Sequence, residues 1–252
     1  MSGSHGNLSR NLRNRHIQLI AIGGTIGVGL FLGSAKAIHN AGPGLLLAYA
    51  LGGVAIFFIM RALGELLSYR PVAGSFASYA EEFCGPFAGF ATGWSYWFMW
   101  IATAMAELTA IGVYVRYWLP EVPQWLPALV ALLVLYGANL LAVRVFGELE
   151  FWFALIKVFT IVALIVAGLA VILFHIGDLG AGAGVANLWS HGGFLPFGIA
   201  GVALTMQIVM FAYNGVELIG VTAGEARDPA VVLPRATNGI IARILIFYIG
   251  AL

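Results

Sequence analysis

Charge is what this chain has least of. Asp, Glu, Lys and Arg together make up 9% of its 252 residues, while 61% are hydrophobic. A water-soluble domain is nearer a quarter charged, so most of this chain belongs in lipid rather than around an aqueous core. The formal charge of +1 gives no basic field for nucleic acid and no acidic one for a cationic partner. One cysteine, Cys84, excludes an intramolecular disulfide and a cysteine metal cluster, and reads as a small apolar helix residue. Asp178 and Asp228 are the only aspartates, both in loops, and neither HExxH nor G-x-S-x-G occurs. A membrane-embedded enzyme would need such a constellation, so enzyme chemistry is not expected. His175 and His191 lack metal-ligand spacing and read as surface histidines. The polar amino-terminal tail runs into apolar sequence without a small-residue cleavage site, so no cleavable signal is expected.

Apolar runs are what the chain has instead. A membrane crossing takes about 20 mainly apolar residues. Six full spans fit, at roughly 17–38, 44–67, 86–117, 127–143, 150–174 and 196–223, with a seventh starting near 240. The third is too long to cross upright and must tilt or project. The seventh stops at Leu252 after too few residues to cross, so the chain is expected to be a fragment that does not transport by itself. The resulting layout is a tail over 1–16, spans one to five over 17–174, an external loop over 175–195, and span six, a loop and a partial span over 196–252. Arg10, Arg13, Arg15, Arg61, Arg70, Arg144, Arg227, Arg235 and Arg243 flank one side, against Lys36 and Arg116 on the other. Basic loops stay inside, which places the amino terminus in the cytoplasm of a multi-pass inner-membrane protein.

The first span is interrupted by Gly23, Gly24, Gly27, Gly29 and Gly33. Loosened backbone at membrane depth is tolerated only where it lines a cavity or is buried in protein. A second interruption, Phe211-Ala212-Tyr213-Asn214-Gly215-Val216-Glu217, lies in span six. Paired interruptions in separate spans point to the substrate site of a secondary transporter. The competing explanation is helix packing, because Gly23/Gly27 and Gly29/Gly33 have small-xxx-small spacing. A dinucleotide fingerprint is excluded, since no strand precedes the glycines and no acidic residue follows at the required distance.

RHIQLIAIGGTIGVGLFLGS, MRALGELLSYRPVAGSFASYAEEFCGPFAGFATGWSYW, VFGELEFWFALIKVFTI, FAYNGVELIGVTAGEARDP and LPRATN resemble the bacterial amino acid permeases. These form the amino acid transporter branch of the amino acid–polyamine–organocation superfamily. The resemblance runs from about Arg15 to Leu252. It implies an all-α polytopic membrane fold of two inverted five-helix repeats, usually with two further helices, discontinuous in helices one and six. Here that fold would be cut in helix seven. It also implies proton-coupled amino acid uptake.

An amino acid is a zwitterion and needs donors for its carboxylate and acceptors for its ammonium. Free N–H groups at Gly27, Val28 and Gly29, where the second half of span one begins, suit the anion. Carbonyls near Ile22 to Thr25 and near Phe211 to Asn214 suit the cation. The family motif, carried onto these positions, implies the same work for Thr25, Gly27, Val28 and Gly29, and for Phe211, Ala212 and Asn214. Many relatives have a hydroxyl residue where Val28 stands, so carboxylate binding here rests on backbone donors.

Ionisable groups at bilayer depth are functional suspects. Lys157 lies seven positions after Glu150, about 10 Å into span five at 1.5 Å per residue. Snorkelling explains it one way. The resemblance implies another, since some proton-coupled relatives have a lysine on this helix where sodium-coupled cousins bind sodium. A lysine out of water can lose its proton near neutral pH and so carry the coupling ion. Glu107 in span three either relays protons or bonds a neighbouring helix, and Glu217 either couples or gates, or anchors helix six. Arg61 and Glu65 are spaced as an i,i+4 pair, and Asn139 is expected to bond across helices. Trp94, Trp97 and Trp100 read as packing against lipid or other helices.

The resemblance, with these residues beside it, implies a proton symporter importing an amino acid by alternating access, with the proton as coupling ion and no other cofactor or metal expected. Its partners are the substrate and the bilayer, with no nucleic acid and no obligatory protein partner. The apolar, aromatic wall favours a neutral substrate such as proline, histidine or an aromatic. The alternatives are a permease for gamma-aminobutyrate or another amino acid, an exchanger, or a membrane sensor that binds amino acids without moving them.

Overall fold

The computed structural model describes residues 26–70, 72, 74–140, 143–176, 182–218 and 244–252, and all regular structure among them is helical. Helix α1 (Val28–Ala41) follows an extended Gly27 and ends at Gly42, whose φ of 57° a side chain would resist. A 3-10 turn over Gly42–Gly44, with Pro43 inside it, redirects the chain into α2 (Leu45–Tyr69). Then come α3 (Ser75–Cys84), α4 (Pro86–Trp118), α5 (Trp125–Asn139) and α6 (Val143–Phe174). The short α7 (Asn187–Ser190) and α8 (Gly198–Ala212) follow, with a π-helical turn at Ile244–Ile249.

Among the described residues, three stretches are long and apolar enough to cross a membrane: Val28–Tyr69, which is α1 and α2 in series, Pro86–Trp118 and Phe151–Phe174. Trp125–Asn139 and Gly198–Ala212 are shorter apolar helices. The boundaries differ from the sequence expectation where polar residues or glycines intervene. Span four stops at Asn139, and among the described residues Asn139 bonds within its own helix rather than across to another: its Nδ2 donates to the Leu135 carbonyl 3.1 Å away. Span six stops being a regular helix at Ala212.

Helix α3 is not anticipated by the hydropathy pattern, because it is short and carries Glu81 and Glu82. Gly85, at φ +97°, turns the chain sharply into α4, whose first residue is Pro86. The Tyr79 hydroxyl donates to the Arg70 carbonyl at 2.6 Å, and Arg70 Nη1 lies 3.3 Å from Glu82 Oε2. These two contacts fasten α3 to the end of α2. The Arg61–Glu65 pair forms at 3.6 Å on an exposed face, as its spacing predicts.

Burial concentrates where α1, α2 and α8 meet. Ile26, Ala48, Tyr49 and Val209 are wholly buried there. Gly52 leaves room for Val209 and the Tyr213 ring. Tyr49, Tyr213 and Tyr248 form a ring cluster, with Tyr213 and Tyr248 centroids 4.6 Å apart. Helices α4 to α6 by contrast expose Phe87, Trp94, Trp97, Leu133, Phe159 and many other large apolar side chains. Such faces suit lipid or further protein rather than water. Trp94 and Trp97 meet edge to face at 5.3 Å on this outer side, consistent with a packing role.

Candidate functional site

Both sequence interruptions lie against one another. On the first, Gly27 is extended (φ −143°, ψ −162°) and the helix begins at Val28. On the second, α8 ends at Ala212 and residues Tyr213 to Glu217 turn, with Gly215 at φ +96°. That positive φ is one reason the sequence carries glycine there. A Cβ on Gly29 would stand 2.6 Å from Ala212 Cα, and one on Gly33 would stand 3.0 Å from Ile208 Cγ2. The packing explanation for Gly29/Gly33 therefore holds: these two glycines let α1 close onto α8. Gly29 thus seats one break against the other.

Helix α4 holds both breaks with a single face. Tyr96, Thr103 and Glu107 are spaced i, i+7 and i+11, which a 3.6-residue repeat stacks along one stripe. The Val28 amide donates to Glu107 Oε1 at 3.1 Å. Asn214 Nδ2 donates to Thr103 Oγ1 at 2.8 Å. The Tyr96 hydroxyl reaches Glu217 Oε1 at 3.5 Å, the outer limit of a hydrogen bond. The other Glu217 oxygen accepts the Gly215 amide at 2.8 Å, so this carboxylate also pins the turn that precedes it.

Each expected site residue can now be placed. Ile22 and Thr25 lie outside the described residues. Gly27 flanks the Glu107 carboxylate, and Val28 supplies the amide that binds it. The Phe211 carbonyl accepts the Asn214 amide at 3.1 Å, and the Ala212 carbonyl accepts the Tyr248 hydroxyl at 2.9 Å. Each carbonyl oxygen has a second lone pair, so neither bond removes it from reach of an ammonium. Lys157 is half-buried in the middle of α6, on the same stripe as the buried Ala154 and Ile161. That stripe faces the core, so the lysine does not point straight into lipid.

Two contributors escape a reading of charges and glycines: Thr103 and Tyr96. The usable signal is their helical register with Glu107. The tryptophans draw attention to Trp94 and Trp97, which lie elsewhere on the helix. Beside Glu217 opens a cavity of about 500 Å³ lined by Phe76, Thr92, Ser95, Tyr96 and Met99. Among the described residues no group of three or more His, Cys, Asp or Glu side chains is placed to hold a metal.

Comparison with known proteins agrees with this architecture. The profile of the family described as amino acid permease matches residues 16–252. Amino-acid permease AapA of Bacillus subtilis is 56% identical over 250 residues, 99% of this chain and 54% of its own length. The probable threonine/serine transporter YbxG of the same organism is 54% identical over 97% of this chain and 53% of its own. Aromatic amino acid transport protein AroP of Escherichia coli O6:H1 is 55% identical over 98% of this chain and 54% of its own. The chain therefore spans about half the length of the curated relatives it matches. All three are named as permeases or transporters and none as an enzyme. The chain belongs to the amino acid permease family.

Proposed function

We propose that the full-length protein imports a neutral amino acid across the cytoplasmic membrane by proton symport. The seam between the two breaks carries this reading. Gly29 packs against Ala212, which brings the start of α1 close to the end of α8. A zwitterion fits such a place, with its carboxylate toward Gly27, Val28 and Gly29 and its ammonium toward Phe211, Ala212 and Asn214. The sequence assigns Ile22 and Thr25 to the ammonium side as well. The inverted five-helix repeat supplies the motion, one bundle rocking against the other around the site, with the amino terminus in the cytoplasm. Lys157, Glu107 and Glu217 are the groups through which a proton would be coupled or a gate held.

The break recognises what all amino acids share, so side-chain choice falls to the pocket walls. Relatives of nearly equal identity are named for threonine and serine in one case and aromatics in another. Both sets are neutral, as are proline and histidine at neutral pH. Uptake by the full-length protein in proteoliposomes under an inward proton gradient, challenged with a panel of unlabelled amino acids, tests this. Competition by neutral amino acids and none by arginine or a polyamine is expected. Strongest competition by arginine overturns the substrate class, and binding without uptake replaces transport with sensing.

A further inference from the structure

The amide that the substrate's carboxylate needs is already taken by a carboxylate of the chain itself. Val28 N–H donates to Glu107 Oε1 at 3.1 Å, across a sequence separation of 79 residues. The place is shaped for that contact: a Cβ on Gly27 would stand 2.7 Å from the same oxygen. Among the described residues the Glu107 side chain is exposed, so a proton can reach it. The amide also opens a 14-residue helix, α1, whose dipole favours an anion at that end.

One N–H makes one strong hydrogen bond, and two ionised carboxylates crowded at one helix end repel each other. We propose that Glu107 and the substrate's carboxylate compete for the Val28 amide, so that protonation of Glu107 admits the substrate. This rests on the transport reading above. The proton adds to the Glu107 carboxylate, giving a neutral acid and a weaker acceptor. The Val28 hydrogen bond passes to the substrate's carboxylate. When the substrate leaves on the cytoplasmic side, the acid gives its proton to water and the carboxylate returns to the amide. One proton enters with each zwitterion, so one positive charge moves inward per cycle.

Other titratable groups stand further off. On its own helix, Tyr114 is two turns on and within electrostatic reach of Glu107, Arg116 lies about 13 Å on, and Glu217 is held by Tyr96, about 16 Å back along the axis. On α1, Lys36 and His39 lie about 12 Å or more beyond Val28. Tyr79, Glu81 and Glu82 belong to α3, which meets α4 near Gly89 and Gly93, about 20 Å from Glu107. Helix α5 offers Tyr136, and the sequence of α6 carries Arg144, Glu148, Glu150 and Lys157.

The test uses the full-length protein and Glu107→Gln, a neutral side chain of the same shape, with radiolabelled threonine and phenylalanine as probes. In the wild type, apparent affinity should fall as the pH rises. In Glu107→Gln, binding should be tight and flat across pH. Counterflow exchange should persist, and accumulation driven by a proton gradient should be lost. A melting temperature within the wild-type range shows that the variant is folded. Binding by Glu107→Gln that keeps the wild-type pH dependence overturns the proposal, as does a folded variant that binds at no pH. A wild type that neither binds nor moves either probe counts instead against the transport reading.

Discussion

Asn214 gives an amide hydrogen to the Thr103 hydroxyl at 2.8 Å, one turn along α4 from the glutamate that binds Val28. One helix therefore holds both breaks, and the second break depends on a side-chain bond between neutral partners. A double-mutant cycle on Thr103→Val and Asn214→Ala should show coupling of about 0.6–1.7 kcal/mol in unfolding of the full-length protein in detergent. Additive effects would mean that the bond contributes nothing. Apparent affinity for substrate should weaken in both single variants, because either change releases the carbonyls of the turn.

Gly29→Ala should be among the most damaging single-methyl changes in the chain. The added carbon would sit 2.6 Å from Ala212 Cα and 3.0 Å from Ala212 N, and backbone cannot yield as a side-chain tip can. Overpacking of this kind costs about 1–3 kcal/mol and would push the two breaks apart. Gly137→Ala in α5 is the control, since an added Cβ meets nothing within 4 Å. It should leave stability unchanged or raise it by about 0.5–1 kcal/mol. Thermal unfolding of both variants, with uptake measured alongside, checks the pair. Equal tolerance of the two would remove the packing account of Gly29.

The difference between these two glycines shows what the sequence makes legible. Hydropathy finds the long apolar helices because lipid demands about 20 apolar residues in a row, and glycine clustering finds the breaks because so little else unwinds a membrane helix. Neither reveals that Gly29 is a packing glycine while Gly27 flanks a carboxylate, since that depends on which helix lies opposite. Thr103 and Tyr96 stay hidden for the same reason: a lone hydroxyl in an apolar helix carries no signal until its partner is known. Helix α3 escapes because its amphipathic ten residues fall below the length of a span. Ionisable residues such as Glu107 stand out at once, because burying a charge in a bilayer needs a reason.

The tyrosine cluster offers a graded pair of substitutions. Tyr248 donates to the Ala212 carbonyl at 2.9 Å, and Tyr213 donates to the Tyr49 carbonyl at 2.8 Å. Tyr49 lies inside α2, where the helix itself supplies its carbonyl with a donor, whereas Ala212 is the last residue of α8. Tyr248→Phe should therefore cost more, about 1–3 kcal/mol, than Tyr213→Phe at about 0.5–1.5 kcal/mol. Chemical unfolding of the full-length variants reads the order directly. A reversed order would show that the end of α8 is capped by some other donor.

Lys157 separates binding from energy coupling. It stands half-buried at the centre of α6, 14 residues after Val143 and 17 before Phe174 at the ends of that helix. The apolar span of that helix begins at Phe151, about 9 Å before Lys157, and the lysine shares the stripe of the buried Ala154 and Ile161 rather than the lipid face. Lys157→Ala should abolish accumulation driven by a proton gradient in proteoliposomes, while exchange of internal for external substrate continues. Lys157→Arg should not restore accumulation, because a guanidinium does not release its proton. If Glu107 sets the pH dependence of binding, that dependence should survive in Lys157→Ala and vanish in Glu107→Gln. Unchanged accumulation in Lys157→Ala would remove the lysine from the coupling path and leave Glu107 to carry the proton alone.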